Sequence, residues 1–440
     1  MTPLAALAAR IRAGGQDASH EVGQVVGARG PAVRVALGAA RVGARLRADG
    51  AGPEGRDAVL EVVGFEGLEA LALPLTALRG PTSGQAVRVE SGEPSAPYGD
   101  AVLGRVLDAL GAPVDGGPPL PAGTPTRPLD AEAPDPLTRR PVDTPLSLGI
   151  RALDAFCTVG AGQRLALEAE PGAGKTTLLA QIAAQSNADV VVLALVGERG
   201  REVGAYLAQL EPARTRTVVV LARADEPPLA TLRAAECATA IAEGFRATGA
   251  NVLLLVDSLT RVARALRTVG LAAGEPPARR GYPPSLSTRL PRLLERAGND
   301  AWGTLTALYA VLVEGDDRDD PVAEEARALL DGHLCLDPGL AGAGRFPALA
   351  IGRSLSRCMP QLVVPAHAQA AATLRRLLAA GEARADLIAI GAYQRGAEPD
   401  VDRFLALREP LERFLRQRPD EFAPYGDTVE RLLTLRAQTP

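Results

Sequence analysis

A glycine-rich turn between a short apolar strand and a helical run sets the architecture available to this chain. Gln163-Arg164-Leu165-Ala166-Leu167-Glu168 reads as a buried strand, Ala169-Glu170-Pro171-Gly172-Ala173-Gly174-Lys175-Thr176-Thr177 as the turn, and Thr176 to Gln185 as the helix leading out. Lys175 is the one lysine among 440 residues; every other basic residue is arginine. In a composition shifted so far toward Arg, Ala and Gly, a retained lysine implies a task that a planar guanidinium does not perform, and binding phosphate as a compact point charge is such a task. The turn fits the relaxed pattern small-x4-Gly-Lys-Ser/Thr, in which backbone amides wrap phosphates, the lysine reaches the β/γ oxygens and the hydroxyl holds Mg²⁺. Glycine-rich turns match such patterns by chance in a chain with 46 glycines. The strand before, the helix after and the unique lysine argue against coincidence.

The rest of the chain supplies the expected α/β context. Val190 to Val196, Thr217 to Leu221, Val252 to Val256 and Thr306 to Val313 are near-continuous apolar runs separated by helical stretches, the pattern of a parallel sheet covered on both faces. Ahead of them, short period-two runs at 22–26, 33–37, 42–48, 58–64, 67–73 and 86–90 alternate with Gly/Pro turns and predict a small β-barrel over 21–92. It is poor in aromatic residues, with Phe65 nearly alone, whereas an RNA-binding barrel needs rings for stacking. Residues 93–149 are rich in Pro and Gly and read as an ordered, extended connector into a nucleotide-binding domain over 93–365. From 366 to 440 Leu374, Leu377, Leu378, Phe404, Leu407, Leu411, Phe414 and Leu415 take helical spacing, predicting a helical C-terminal domain. Residues 1–20 place Leu4, Leu7, Ala8 and Ile11 on one helical face, either a frayed end or a docking helix for a partner or membrane surface.

Composition excludes several classes of function. The net charge of -4, with both signs interspersed, presents no basic face for nucleic acid. Cys157, Cys237, Cys335 and Cys358 form no CxxC or Cys/His cluster, and with three histidines a transition-metal site is not expected. No run approaches the roughly 20 apolar residues of a membrane span, and the chain is expected to be soluble and cytoplasmic.

Two acids mark the chemistry. Asp257 ends the run Asn251-Val252-Leu253-Leu254-Leu255-Val256-Asp257, the placement of a carboxylate that holds Mg²⁺ opposite the phosphate loop. Gly197-Glu198-Arg199-Gly200-Arg201-Glu202 follows the Val190 to Val196 run, and strand ends line the ligand crevice of a parallel sheet. On spacing alone Glu198 is either a carboxylate facing the γ-phosphate or part of a solvated charged turn.

These segments carry a resemblance. Gly-Glu-Arg-Gly-Arg-Glu at 197–202, Asp-Ser-Leu-Thr-Arg at 257–261, Gly-Leu-Ala-Ala-Gly-Glu-Pro-Pro-Ala-Arg-Arg-Gly-Tyr-Pro-Pro at 270–284, Leu-Val-Glu-Gly-Asp-Asp at 312–317 and Ser-Leu-Ser-Arg at 354–357 resemble the type III secretion ATPases. These are the homohexameric motors of injectisomes and flagellar export, relatives of the catalytic subunit of F-type ATP synthase. The 270–284 segment distinguishes the export ATPases from the synthase subunits, and the resemblance is weakest before residue 90. It implies a RecA-like core that hydrolyses ATP with Mg²⁺, using Lys175 on the phosphates, Thr176 and Asp257 at the metal and Glu198 as catalytic carboxylate. Arg199 and Arg261 would support the site, Phe346 would lie against adenine, unless it is a core residue, and Arg357 would reach into the neighbouring subunit. Implied partners are a stator or regulator at the N-terminus, a central stalk, chaperone-substrate complexes and the export gate, on the cytoplasmic face of the inner membrane. Pro171 and Thr176 look more like the injectisome branch than the flagellar one. A non-hydrolysing subunit of a rotary ring has no use for Glu198, and a hexameric RNA translocase is disfavoured by the barrel and the charge.

Overall fold

The computed structural model describes residues 22–90, 92–313 and 320–439. The expected N-terminal helix and most of the 312–317 motif lie outside them. Six antiparallel strands, β1 (Val22–Arg29), β2 (Ala32–Ala36), β3 (Arg45–Ala48), β4 (Ala58–Glu66), β5 (Glu69–Pro74) and β6 (Ala86–Val89), close into a barrel in the order β1-β2-β5-β4-β3-β6. Alternation directs Val25, Val33, Val35, Leu46, Leu60, Val62 and Val87 into its interior. Phe65 is half exposed and takes no part in that core. Glu61, on β4, is buried where the barrel meets the next domain and is held there by Arg233 (Nε to Oε2, 2.8 Å).

The proline-rich connector is ordered by its own pairing. Its β7 (Ser95–Pro97) pairs with β9 (Thr126–Pro128), and Arg105 grips Asp115 through two bonds of 2.7 and 2.8 Å, which hold that carboxyl well below its usual range. Between them β8 (Val106–Leu107) joins the edge of the main sheet. After a small hairpin of β10 (Pro145–Leu146) and β11 (Val159–Gly160), that sheet is built from β12 (Arg164–Ala169), β13 (Val190–Glu198), β14 (Thr217–Arg223), β15 (Asn251–Asp257), β16 (Thr304–Leu312), β17 (Gly332–Cys335) and β18 (Leu355–Ser356). The spatial order is β18-β17-β12-β16-β15-β13-β14-β8, parallel except at β18. Consecutive side chains of β13 and β15 are buried on both faces, which is why these strands read as unbroken apolar runs instead of alternating.

Three long helices, Pro365–Ala383, Pro399–Leu415 and Tyr425–Ala437, and a short one, Ala385–Ala389, form the C-terminal domain. Leu374, Leu377, Leu378, Leu407, Leu411, Leu432 and Leu435 share one apolar cluster with the core's Phe156, which meets Phe414 edge-on at 6.4 Å. Arg151 ties the two domains again, donating to Phe414 O at 2.8 Å and pairing with Glu421.

Candidate active site

The glycine-rich turn links β12 to helix α1 (Lys175–Gln185). Gly172 and Gly174 have φ of 84° and 88°, conformations that side chains resist, and Ala173 N donates to Glu170 O at 3.2 Å, so the chain turns tightly into the helix. No side chain caps the helix start, so its first amides, which have no partner within the helix, are open to an anion. The strand end behind the loop is fixed: Glu168 is buried and takes two bonds from Arg327, at 2.7 and 2.8 Å.

Lys175 Nζ points back across the crevice and forms an ion pair with Asp257 Oδ1. Asp257 ends β15 at 0% exposure, and its second oxygen, Oδ2, has no hydrogen-bond partner among the described residues. Beside it, Gly197 interrupts the register between β13 and β14 with φ 66°, so that β13 continues to Glu198 after a bulge. A bulge re-aims the following side chain. Glu198 is 6% exposed and paired with Arg261, which also donates to Val196 O at 3.3 Å. Glu198 is therefore buried rather than solvated; the solvated part of the segment is Arg199, Arg201 and Glu202. Arg199 in particular is 68% exposed and lies 3.9 Å from Glu202, with no hydrogen bond or ion pair to Asp257 or Glu198 among the described residues. The helix that follows Asp257, α2 (Leu259–Ala272), is capped by Ser258 and locked to β16 by Leu312 N donating to Thr260 Oγ1 at 2.9 Å.

On the other side of the loop a cavity of about 500 Å³ opens between Gly174, Thr177, Gln181, Phe346 and the segment Arg416–Pro419. Phe346 stands close enough to Gly174 that a Cβ there would lie 3.7 Å from its ring. It is half exposed, so it lines a cavity and is not a core residue. Sequence reading missed the C-terminal wall of this cavity. Gln181 and Gln185 of α1 donate to Arg418 O and Pro419 O, each at 3.0 Å, and Gln417 N donates to Phe346 O at 2.8 Å. The two glutamine contacts join residues more than 200 positions apart, and nothing local in 416–421 signals them. Tyr206 was also missed; it is 2% exposed, and its hydroxyl has no partner among the described residues.

The residues fit a magnesium nucleotide. The open amides and Lys175 suit phosphate, the unpartnered Asp257 Oδ2 and the Thr176 hydroxyl suit an oxygen-coordinated divalent cation, and the cavity beside Phe346 suits a flat base.

A family model described as the ATP synthase alpha/beta family, nucleotide-binding domain, matches residues 149–356, and one described as the T3SS EscN ATPase C-terminal domain matches 363–434. The chain is 43% identical over 392 residues to the flagellum-specific ATP synthase of Salmonella typhimurium, covering 87% of this chain and 86% of that protein. It is 45% identical over 371 residues to the type 3 secretion system ATPase of Sinorhizobium fredii, covering 84% and 82%. This chain belongs to the type III export ATPases. The solved structure of the assembled ATPase EscN from the enteropathogenic E. coli type III secretion system superposes with a TM-score of 0.87 at 41% identity, covering 94% of this chain and all of EscN. EscN in complex with its central stalk EscO superposes with a TM-score of 0.86 at 40% identity.

Two further segments that suggested the export ATPases are defined. In 270–284 Glu275 Oε2 accepts from Ser285 N at 3.0 Å, Arg279 pairs with Glu324 at 2.6 Å, and Arg267 lies over the Tyr282 ring at 5.3 Å, so the loop has a fixed shape. Arg357 is exposed and donates within its own chain to Leu330 O and Arg327 O, at 3.1 and 3.3 Å. It makes no hydrogen bond or ion pair with Lys175, Glu198 or Asp257 among the described residues.

Proposed function

We propose that this export ATPase hydrolyses ATP with Glu198 as the general base and works as a homohexamer that energises protein secretion. The reading is supported chiefly by two buried carboxylates, Asp257 and Glu198, at the C-terminal ends of adjacent strands, each matched by one cation, Asp257 by the loop's own Lys175 and Glu198 by Arg261. Lys175 and the loop amides hold the triphosphate, and Lys175 leaves Asp257 as phosphate arrives. Thr176 and Asp257 would hold Mg²⁺, which would supply positive charge against that developing on the phosphates. Glu198, kept in place by Arg261 and by the bulge at Gly197, orients the attacking water and accepts its proton. Phe346 stacks on the base. Arg357, exposed and held by main-chain carbonyls, is offered to the phosphate site of the next subunit, where a cation is worth roughly 10³–10⁵ in rate.

The fixed loop at 274–281 faces a central stalk, in keeping with the EscN–EscO complex. Chaperone release, unfolding and substrate delivery to an export gate at the cytoplasmic face of the inner membrane are the work such a motor performs, with a stator or regulator at the N-terminus. Pro171 and Thr176 favour an injectisome over a flagellum. No helix among the described residues is long and apolar enough to cross a membrane, consistent with peripheral attachment. Turnover is expected without nucleic acid.

The test is a pair of variants. Lys175→Ala is expected to lose nucleotide binding, whereas Glu198→Gln binds ATP normally and hydrolyses it at least roughly 10²-fold more slowly. Retention of turnover within threefold of wild type by either variant would refute its assignment. Mixing Arg357→Ala with Glu198→Gln chains restores activity in mixed rings if Arg357 acts in trans; mixed rings that stay inactive at every ratio would remove that role.

A further inference from the structure

The Tyr206 hydroxyl and Asp257 Oδ2 are both buried at the site, and neither has a hydrogen-bond partner among the described residues. Tyr206 lies on the helix Gly200–Gln209, which begins two residues after Glu198. Its ring belongs to the apolar cluster that contains Leu178, Leu179, Leu195 and Leu210, so phenylalanine would serve that packing equally well. Burial, with the neighbouring charges of Asp257 and Glu198, pushes the phenol well above its ordinary ionisation range. At physiological pH it is therefore a neutral O–H, a donor near two carboxylates. Buried donors without protein partners are resolved in native proteins by ordered water or by ligand, since leaving them unmade is costly. The donor Tyr206 O–H and the acceptor Asp257 Oδ2 are complementary ends for one such water, which needs at least two polar partners.

We propose that Tyr206 is a positioning residue of the hydrolytic site: its hydroxyl donates to a water held against Asp257 Oδ2, ordering the water network that joins the metal side of the site to Glu198. The proposal rests on the assignment of Asp257 and Glu198 above. It involves no bond making or breaking by Tyr206, only a hydrogen bond donated to a water and passed by that water to a carboxylate.

The test is Tyr206→Phe in the full chain, with folding checked by circular dichroism. Three quantities are read: the Mg²⁺ concentration that half-maximally tightens binding of a fluorescent ADP analogue, kcat and KM for ATP, and the thermal midpoint without nucleotide. The expected result is a roughly three- to tenfold rise in half-saturating Mg²⁺ and a fall in kcat of about tenfold, the scale of one hydrogen bond, with KM nearly unchanged and no gain in midpoint. A purely structural hydroxyl gives the opposite pattern: a raised midpoint, because an unsatisfied group has been removed, with Mg²⁺ dependence and kcat unmoved. That pattern would overturn the proposal. Glu198→Gln is measured alongside; if it retains turnover, the assignment of the site fails, whereas loss of turnover in Glu198→Gln with an unchanged Tyr206→Phe removes only the part given to Tyr206.

Discussion

Gly197→Ala should separate ATP binding from hydrolysis without replacing a charged residue. Gly197 has φ 66°, and a Cβ built there lies 2.9 Å from Arg261 Cδ. Two costs follow. Holding an alanine in the left-handed region costs about 1–2 kcal/mol, and the methyl needs roughly 3.5–4 Å from the arginine carbon, so Arg261 must withdraw by about 0.6–1 Å. Arg261 is the ion-pair partner of Glu198. Glu198, the proposed general base, therefore has its anchor displaced while the glycine-rich loop is untouched. Misplacement on this scale lowers turnover by up to about 10²-fold, and the expected result is a fall in kcat of roughly 10- to 100-fold with ATP affinity within threefold of wild type. Steady-state phosphate release and equilibrium binding of a fluorescent nucleotide read the two quantities separately. Gly200→Ala is the control, since nothing lies within 4 Å of a Cβ at that helical position and its φ is not in the left-handed region. If Gly197→Ala turns over within threefold of wild type, the bulge does not aim Glu198, and the coupling of Gly197, Arg261 and Glu198 is wrong.

Other perturbations test the scaffold and the base cavity. Glu243 is fully buried and accepts from Arg296 at 2.9 and 2.7 Å and from Arg127 at 2.9 Å; Glu243→Ala leaves buried guanidinium uncompensated and should destabilise the core by about 3–5 kcal/mol, read by chemical denaturation. Burial pushes the Asp154 carboxyl up to about 7 against backbone and Ser147 hydrogen bonds that favour its charge. The neutral acid is thus favoured by the fold, so this residue's contribution is fullest below its unfolded pKa and is lost as pH rises toward 7. Relative to wild type, Asp154→Asn should gain about 2 kcal/mol in stability between pH 5 and 7; an unchanged difference would contradict the burial effect. Phe346→Ala should raise the Kd for ATP by roughly threefold to tenfold, the scale of one aromatic contact, with kcat at saturation nearly unchanged.

Local signals carried the placement of most of the candidate site. The phosphate loop was readable because a strand, two positive-φ glycines and a lone lysine sit in consecutive sequence, and Asp257 because it ends an apolar run. The barrel strands fell within a few residues of their pattern, since alternation is a local property. Gly197 was harder: glycine after an apolar run signals a turn, whereas here it is a bulge within a strand that continues to Glu198. The edge strand Val106–Leu107 is too short to show a period and is defined only by its partner in β14. Arg199 shares its segment with Glu198 yet faces solvent, because the chain enters a helix at Gly200 and the side chain before it points outward. The C-terminal wall of the cavity depends on contacts across the domain boundary, which no local pattern encodes.

That wall has a consequence for how the motor can be divided. The floor and one side of the base cavity belong to the nucleotide-binding domain, but its remaining side is the turn at 416–419, held to α1 by two glutamine side chains and to the segment at Phe346 by a backbone bond. A fragment ending before the last helices would keep every residue proposed to act on the phosphates and still leave that cavity open on one side. Conversely, with the base seated in that cavity as proposed, anything that pulls on the C-terminal helices would pull on the grip of the nucleotide as well, so a cargo or partner engaged there would register as altered ATP affinity before any change in the chemical step.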